Sequence, residues 1–436
     1  MLYWFIVLFP FLIYPWSLLI DPHYALPKVI YLIAFVMIMW LFVLSNRSRW
    51  TEYINKRVTN VEIVLLLLYV LVGIATIFSV EPEISRFGMS NRYEGFFALL
   101  AYFSLFLFAF RLVNMKHHKK ILRGLVGAGV IVAVYGILQH YFLDFLPRNS
   151  VRMGSSQIYG LFDNPNFFGS YLVLVISISI MLFLISKGNK SYYFYLGSSV
   201  LFFIAIIFTY TRSALVGLFA TMLFLTLFVI LNKKHLWRRW TIVLVLFISI
   251  FISIDALGDG KFINKIATAF DDTQKIITNN SDGHEGSSRW FIWRYTFPLI
   301  EDYFWTGSGP DTLYYVFPND NRELVSSYLG NEIVVDKAHN EYLQIAVTLG
   351  VPALVVYLTF LSVILFTAYR ALQKIKTDET IYIIHCGIIA SIVGYLVQAF
   401  FNISVVTVAP FFWVLLGLCF HASYTYLDEK NCKKAS

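Results

Sequence analysis

The sequence has 436 residues, of which 58% are hydrophobic, 18% aromatic and only 14% charged. A soluble domain averages about 25% charged residues, so this chain has too little polar surface to cover a water-facing globule. The composition therefore excludes an ordinary soluble protein and predicts one whose main solvent is lipid. The formal net charge is +8, but no basic patch suited to nucleic acid is apparent, and no nucleic-acid partner is expected.

About twelve apolar segments have the length that a membrane-spanning helix needs, roughly 20 residues. The apolar start from Leu2 to Ile20 has no basic region and no small-residue cleavage site, so we interpret it as the first span. We therefore predict an all-α polytopic integral membrane protein. The predicted spans are 3–20, 27–44, 61–80, 95–113, 121–143, 167–186, 191–209, 212–231, 239–255, 342–369, 381–401 and 405–425.

Basic residues predict the orientation, because cytoplasmic loops retain Lys and Arg. Alternate connections between the predicted spans are rich in them, whereas the opposite short connections hold few. We therefore predict that both termini are cytoplasmic and that the number of spans is even. The basic connections lie near 47–57, 111–123, 187–190, 233–239 and 370–376.

One large polar segment, 256–338, separates the ninth and tenth predicted spans and falls on the predicted outer side. Loops of this length are uncommon in compact proteins and are usually functional. The predicted organisation is therefore spans 1–9 over 1–255, the loop over 256–338, spans 10–12 over 339–427, and a cytoplasmic tail over 428–436.

The composition within this loop changes along its length. The stretch from Asp271 to Gly286 is polar and is predicted to be flexible. The run that follows, SSRWFIWRYTFPLI, places Trp290, Trp293 and Phe297 at helical spacing. We predict that this run forms a helix lying at the membrane interface.

Several arginines stand on the predicted outer side. They are Arg92 in SRFGMSNRYEG, Arg212 in YTRSALVG, and Arg289 and Arg294 on the predicted loop helix. Arginine presents a planar fork of donors that matches phosphate oxygens, and it stays charged. These residues are candidates for holding the diphosphate of a lipid headgroup. The alternative is that they only extend from helix ends to the interface.

A histidine marks the point where the loop enters the tenth predicted span. His339 opens HNEYLQIAVTLGVPA, followed by Asn340 and, further on, Gly350. Histidine has an ordinary pKa of about 6.5, so it can accept a proton from a sugar hydroxyl or orient that hydroxyl. Asn340 is a candidate substrate contact beside it. A purely structural histidine is the alternative.

A third motif, GLFDNPNFFGS, begins the sixth predicted span. Asp163 and the residues after it predict a turn and a helix cap, and Asp163 could alternatively orient a substrate. The three cysteines lack the paired spacing of a metal site. No P-loop is present, so ATP hydrolysis is unsupported. We predict neither a metal nor another cofactor.

Together these motifs resemble the O-antigen ligase and O-antigen polymerase superfamily of bacterial membrane glycosyltransferases. The resemblance covers nearly the whole chain and depends on the order of the motifs around the long loop. The ligase signature has a second glycine three residues after the first, and Ala353 stands there in this sequence. The motifs are Asp163-Asn164-Pro165-Asn166, Thr211-Arg212-Ser213, Ser288-Arg289-Trp290, and His339-Asn340 with Gly350.

The resemblance implies a GT-C type membrane fold of twelve helices with an active site on the outer face. It implies a glycan donor on undecaprenyl diphosphate and an inverting, metal-independent transfer. His339, Arg212 and Arg289 match the essential positions of the family, and Arg92 resembles an outer-loop arginine of it. The implied location is the bacterial cytoplasmic membrane, in contact with membrane lipid.

Three acceptors remain open within this reading: another lipid-linked glycan (polymerase), a lipid or wall anchor (ligase), or a secreted protein. A transporter or flippase of lipid-linked oligosaccharides is the alternative from another class, and a non-catalytic assembly scaffold is a third. Charged residues are scarce at the span centres, where transporters keep ion sites. This distribution favours a reaction at the membrane surface. The oligomeric state does not follow from the sequence.

Overall fold

The computed structural model describes residues 1–14, 24–55, 57–90, 92–146, 148, 154–278, 280–281, 283–329, 334–375 and 378–432. These residues form helices joined by turns, and none of them forms a β-strand. Ten helices in this part of the chain are long and apolar enough to cross a membrane, which fits the predicted polytopic protein. They are Ala25–Ser45, Asn60–Ile77, Met115–His140, Pro165–Leu184, Asn189–Phe208, Arg212–Asn232, Lys234–Leu257, Val351–Leu372, Glu379–Ala399 and Ala409–Asp428.

Two of the twelve predicted spans correspond to shorter apolar helices, Leu2–Phe11 and Phe96–Arg111. In the first, helical backbone ends at Leu12, whose ψ is 105°. Residues 15–20 of that predicted span lie outside the described residues. The second has 16 residues, or about 24 Å, against a hydrocarbon core of about 30 Å. The count of twelve spans therefore stays a prediction.

The tenth predicted span, 342–369, is wrong as a single helix. It consists of a short helix, Glu341–Thr348, and a long one, Val351–Leu372. Between them Gly350 has a φ of +89°, a conformation that only glycine adopts readily. A Cβ at this position would lie 2.8 Å from the carbonyl oxygen of Trp305. The glycine in the HN…G motif therefore serves a helix break and a close backbone approach.

A tight turn of the loop, residues 307–311, fills this break. The backbone N–H of Ser308 donates to the carbonyl of Val347 at 2.9 Å, and that of Gly309 donates to the carbonyl of Thr348 at 2.9 Å. The end of a helix leaves its last carbonyls without intrahelical partners, and the turn supplies partners for two of them. The loop is thereby fixed to the C-terminal end of the short helix that follows His339.

The rest of the loop is largely helical. The prediction that Asp271–Gly286 is flexible is wrong as far as Ile277, because Lys261–Ile277 is one helix. Phe262, Ile266 and Phe270 recur every four residues, which gives this helix an apolar side that the polar residues around them obscured. The further loop helices are Glu285–Thr296, Leu299–Asp302, Leu313–Val316 and Arg322–Leu329.

The predicted tryptophan-rich helix corresponds to Glu285–Thr296. Gly286, Ser287 and Ser288 have φ values of 62°, so regular helix begins only at Arg289. The indole Nε1 of Trp293 donates to the carbonyl of Ala338 at 2.9 Å. This helix is therefore joined to the end of the loop, and its predicted position at the membrane interface stays a prediction.

The helix Pro165–Leu184 forms the centre of the bundle, since every residue of its most apolar stretch is buried. Its start is joined to the start of Arg212–Asn232, where the hydroxyl of Ser213 donates to Asn166 Oδ1 at 3.4 Å. Small residues allow the close packing that helices use in membranes. The helix therefore brings two of the predicted motifs to one end of the bundle, which we call the loop end because it carries residues 256–340.

We expect Gly350→Ala to destabilise the protein and to detach the turn at 307–311. Alanine would keep a strained positive φ and would press its Cβ on the Trp305 carbonyl, at a cost of about 1–3 kcal/mol. The measurement is the Tm of the purified protein in lipid. Gly73→Ala is the matched control, because Gly73 is helical and has no neighbouring atom within 4 Å of its Cβ position. Equal Tm values for the two variants would contradict this account of Gly350.

Candidate active site at the loop end of the bundle

His339 occupies a strained and firmly held position. Its φ is +50°, a region that residues other than glycine seldom adopt. On one side, the backbone N–H of Ala338 donates to Gln344 Oε1 at 2.8 Å, and its carbonyl binds Trp293. On the other side, Asn340 caps the following helix, its Oδ1 accepting two backbone N–H groups at 3.0 and 3.1 Å. Backbone strain that is held in place by several surrounding contacts, as here, is concentrated at functional sites.

The imidazole of His339 is neutral near pH 7. Burial, and then the positive charge of Arg289, lower the pKa of His339 to about 4, while Asp336 acts in the opposite direction. A neutral imidazole has a free nitrogen lone pair. His339 is therefore in the protonation state that a general base requires.

Arg212 and Arg289 lie within electrostatic range of each other, and Arg289 also acts on His339. Arg212 donates from Nη1 to Asp272 Oδ2 at 2.7 Å and from Nη2 to Thr268 Oγ1 at 2.8 Å. Its Nε is buried and has no partner among the described residues. Arg212 therefore has one buried donor that no described group satisfies.

The positive charge of Arg289 is less well compensated by neighbouring groups than that of Arg212. Within the described part of the chain no carboxylate pairs with it. Burial, together with repulsion from Arg212, lowers the pKa of Arg289 to about 10. A buried charge without a partner is costly, so this pair of guanidinium groups favours an anion between or beside them.

Arg92, by contrast, is surrounded by acids. Its Nε donates to Asp336 Oδ2 at 2.5 Å, and its guanidinium stands 5.7 Å from the centroid of the Phe167 ring. Asp163 and Asp311 also attract it. Asp336 in turn acts on His339, so Arg92 is connected to His339 through this carboxylate.

The turn that contains Asp163 has the predicted cap, but the capping residue is the next one. Asn164 precedes the helix Pro165–Leu184, and its Oδ1 accepts the backbone N–H of Asn166 at 2.9 Å. Asp163 itself has a φ of +68°, which leaves its carboxylate out of the cap and within range of Arg92.

The structure brings most of the predicted site residues together. Arg92, Asp163, Arg212, Arg289 and His339 are joined by a continuous series of electrostatic interactions. The side-chain oxygen of Asn340 is occupied by its helix cap. The remaining predicted residue stands apart.

That residue is Arg294, which is exposed. It follows Arg289 by five positions, and five residues turn a helix by about 140° beyond one full revolution. The two arginines of the loop helix therefore point to different sides, and only Arg289 faces His339.

Sequence reasoning missed the acidic and basic residues that flank His339. Lys337 is buried and forms an ion pair with Asp311. The same carboxylate accepts the backbone N–H groups of Met89 at 2.7 Å and Glu94 at 3.2 Å. The available signal was the charged pair Asp336-Lys337 directly before Ala338-His339, but its partners come from distant segments.

A comparison with known families finds one match. Residues 197–358 match the family model Wzy_C, described as O-antigen ligase. This segment includes Arg212, Arg289, His339 and the whole of the loop. No curated protein matches the chain. Over this segment, the match confirms the resemblance to the O-antigen ligase and polymerase superfamily that the motifs indicated.

Proposed function

We propose that the protein is a membrane glycosyltransferase that transfers a glycan from undecaprenyl diphosphate to an acceptor hydroxyl on the outer face of the bacterial cytoplasmic membrane. The family match supports the general activity. The acceptor is a second lipid-linked glycan, a lipid or wall anchor, or a protein. In each case the donor and its leaving group are the same.

The observation that carries this proposal is the Arg212–Arg289 pair. Two guanidinium groups repel each other, and Arg289 has no acidic partner among the described residues. A diphosphate supplies the missing negative charge and accepts from both arginine forks. In the reaction, charge develops on the oxygen that bridges the sugar and the diphosphate. Fixed donors aimed at such charge contribute about 2.7–4 kcal/mol each.

In the proposed step, the acceptor hydroxyl oxygen attacks the anomeric carbon from the face opposite the diphosphate. A new C–O bond forms, and the bond from the anomeric carbon to the diphosphate oxygen breaks. The electron pair leaves with undecaprenyl diphosphate, the hydroxyl proton passes to the imidazole of His339, and the anomeric centre inverts. The proposal requires no metal or other cofactor.

Donor binding would also strengthen the base. The pKa of His339 is about 4 because of burial and of the charge of Arg289. A diphosphate bound at the arginines brings negative charge next to the imidazole, which favours its protonated form. The pKa of His339 would therefore rise when the donor is bound, so proton transfer is coupled to donor binding.

The other predicted residues have supporting roles in this proposal. Arg92, held by Asp336, orients His339 through that carboxylate and lies at the border of the diphosphate site. Asp163 and the amide of Asn340 contact the donor sugar. Arg294, exposed on another side of the loop helix, contacts the glycan farther from the diphosphate.

We expect Arg289→Ala and His339→Ala each to reduce transfer at least 100-fold, because one removes a contact to the leaving group and the other removes the base. The assay uses purified protein in lipid with a native undecaprenyl diphosphate glycan, and products are separated by size. Arg238→Ala is the matched control, since Arg238 is an exposed arginine of the helix Trp237–Leu257. Wild-type product from either active-site variant would refute the assignment.

The product pattern of the wild-type protein distinguishes the acceptors. A ladder of repeats from donor alone indicates a polymerase, and a single-step product that needs an added acceptor indicates a ligase or a protein glycosyltransferase. Donor that crosses the bilayer without any covalent product indicates a transporter and rejects the proposed function.

The pH dependence provides a further prediction. kcat/KM reports the free enzyme, in which the pKa of His339 is about 4, so it should stay level from pH 7.5 down to about 5.5. A histidine with an ordinary pKa of about 6.5 would lose roughly tenfold over the same range. kcat reports the donor complex and should fall at a higher pH than kcat/KM does. His140→Gln, as a control, should leave both profiles unchanged, and a fall of kcat/KM near pH 6.5 would contradict the low pKa.

A further inference from the structure

A cavity of about 80 Å³ lies next to the segment that carries His339. Lys337 and Glu341 line it, whereas His339, Arg212 and Arg289 do not. Much of its wall is apolar and comes from the helices Asn60–Ile77, Phe96–Arg111, Val351–Leu372 and Ala409–Cys432. Its polar side chains are Glu94, Tyr102, Asp311, Lys337, Glu341, Gln344, Thr348, Tyr357 and Ser404. The transfer step proposed above assigns no role to Glu341 or Gln344, which line this cavity.

Two of the lining side chains each have one buried polar atom without a partner among the described residues. Glu341 is 6% exposed and Gln344 is 9% exposed, and they lie three residues apart on one face of the helix Glu341–Thr348. Neither Glu341 Oε2 nor Gln344 Nε2 has a hydrogen-bond partner among the described residues. Leaving such buried groups unpaired costs about 1–3 kcal/mol each, so the arrangement favours a ligand that satisfies both.

The opposite end of each side chain is already fixed. The hydroxyl of Tyr357 donates to Glu341 Oε1 at 2.9 Å, and Gln344 Oε1 accepts the backbone N–H of Ala338 at 2.8 Å. Glu341 Oε2 is therefore an acceptor and Gln344 Nε2 a donor, and these hydrogen bonds fix the side chains that carry them. A hydroxyl group matches both, because its oxygen accepts from Gln344 Nε2 and its hydrogen is donated to Glu341 Oε2.

The charges of the cavity favour a neutral ligand over an anion. The only cationic side chain among its described lining residues is Lys337, which is paired with Asp311. Burial raises the pKa of Glu341 to about 7 and that of Glu94 to about 7. A diphosphate would meet carboxylates here and find no free cation. The cavity thus differs in chemistry from the Arg212–Arg289 pair.

The two sites are separated by the width of one chain segment. Lys337 and Glu341 each stand two residues from His339, and two residues span at most about 7 Å. We propose that the cavity is the acceptor subsite, which binds a hydroxyl of a neutral sugar through Gln344 and Glu341 as positioning residues. A sugar carries several hydroxyls, so a neighbouring one reaches His339. This inference rests on the proposed function.

The subsite is tested by binding, independently of turnover. The probe is hexyl β-glucoside, a neutral sugar amphiphile, added to the protein in lipid nanodiscs, and the readout is the rise in Tm that a ligand of the folded state produces. We expect the glucoside to raise the Tm of the wild type, and Gln344→Leu and Glu341→Gln to weaken its binding about tenfold. Glu341→Gln keeps an oxygen for the Tyr357 hydroxyl, so folding is preserved.

Gln398→Leu is the matched control. Gln398 is also a buried glutamine whose side-chain atoms have no partner among the described residues, but it does not line the cavity. Its loss should leave glucoside binding unchanged. No glucoside effect on the wild type, or an equal effect on wild type and Gln344→Leu, would overturn the subsite.

The same variants separate this inference from the proposed function. In the transfer assay with an added acceptor, Gln344→Leu should raise the KM for the acceptor about tenfold and leave the KM for the donor unchanged. A wild-type protein that forms no covalent product rejects the proposed function. A wild-type protein that transfers normally, with the same acceptor KM in Gln344→Leu, rejects only the subsite.

Discussion

The arrangement at the loop end depends on one unfavourable interaction, the electrostatic repulsion between the guanidinium groups of Arg289 and Arg212. Asp272 and Thr268 compensate Arg212, whereas no carboxylate in the described chain pairs with Arg289. Burial and then this repulsion lower the pKa of Arg289, whereas burial and then the charge of Arg289 lower the pKa of His339. In the proposed function, an anion that binds both arginines would relieve the repulsion and raise the pKa of His339, which would link donor binding to proton transfer.

The fold maintains this imbalance by fixing the backbone around it. The turn at 307–311 fits into the helix break at Gly350. Its N–H groups donate to carbonyls that the break leaves without partners in the helix. Trp293 and Gln344 hold Ala338 from two sides, which keeps His339 at its positive φ. Lys337 and Asp336 then face different partners, Asp311 and Arg92. This division would place an anion site and a hydroxyl site on either side of one short segment.

Much of the fold and of the candidate site could be predicted from the sequence. Hydropathy predicted ten of the spans with ends within about six residues of the observed helices, apart from the helix break. The motifs identified Arg92, Arg212, Arg289 and His339, which the structure joins by electrostatic interactions. Three features could not be predicted from the sequence. The break at Gly350 is hidden because the residues on both sides are apolar. The helix Lys261–Ile277 was obscured by polar residues that fill its other faces. The roles of Lys337, Glu341 and Gln344 depend on partners from distant segments, which no local pattern specifies.

The most direct test of the central claim is the equilibrium affinity of the protein for undecaprenyl diphosphate itself, without a glycan or an acceptor. If the two arginines form the anion site, Arg289→Ala should weaken this affinity at least tenfold, because a charge-assisted hydrogen bond contributes about 1.5–3 kcal/mol, while His339→Ala and Gln344→Leu should bind nearly as the wild type does. Equal affinity of wild type and Arg289→Ala would contradict the account, because the unpaired guanidinium would then have no ligand to explain it.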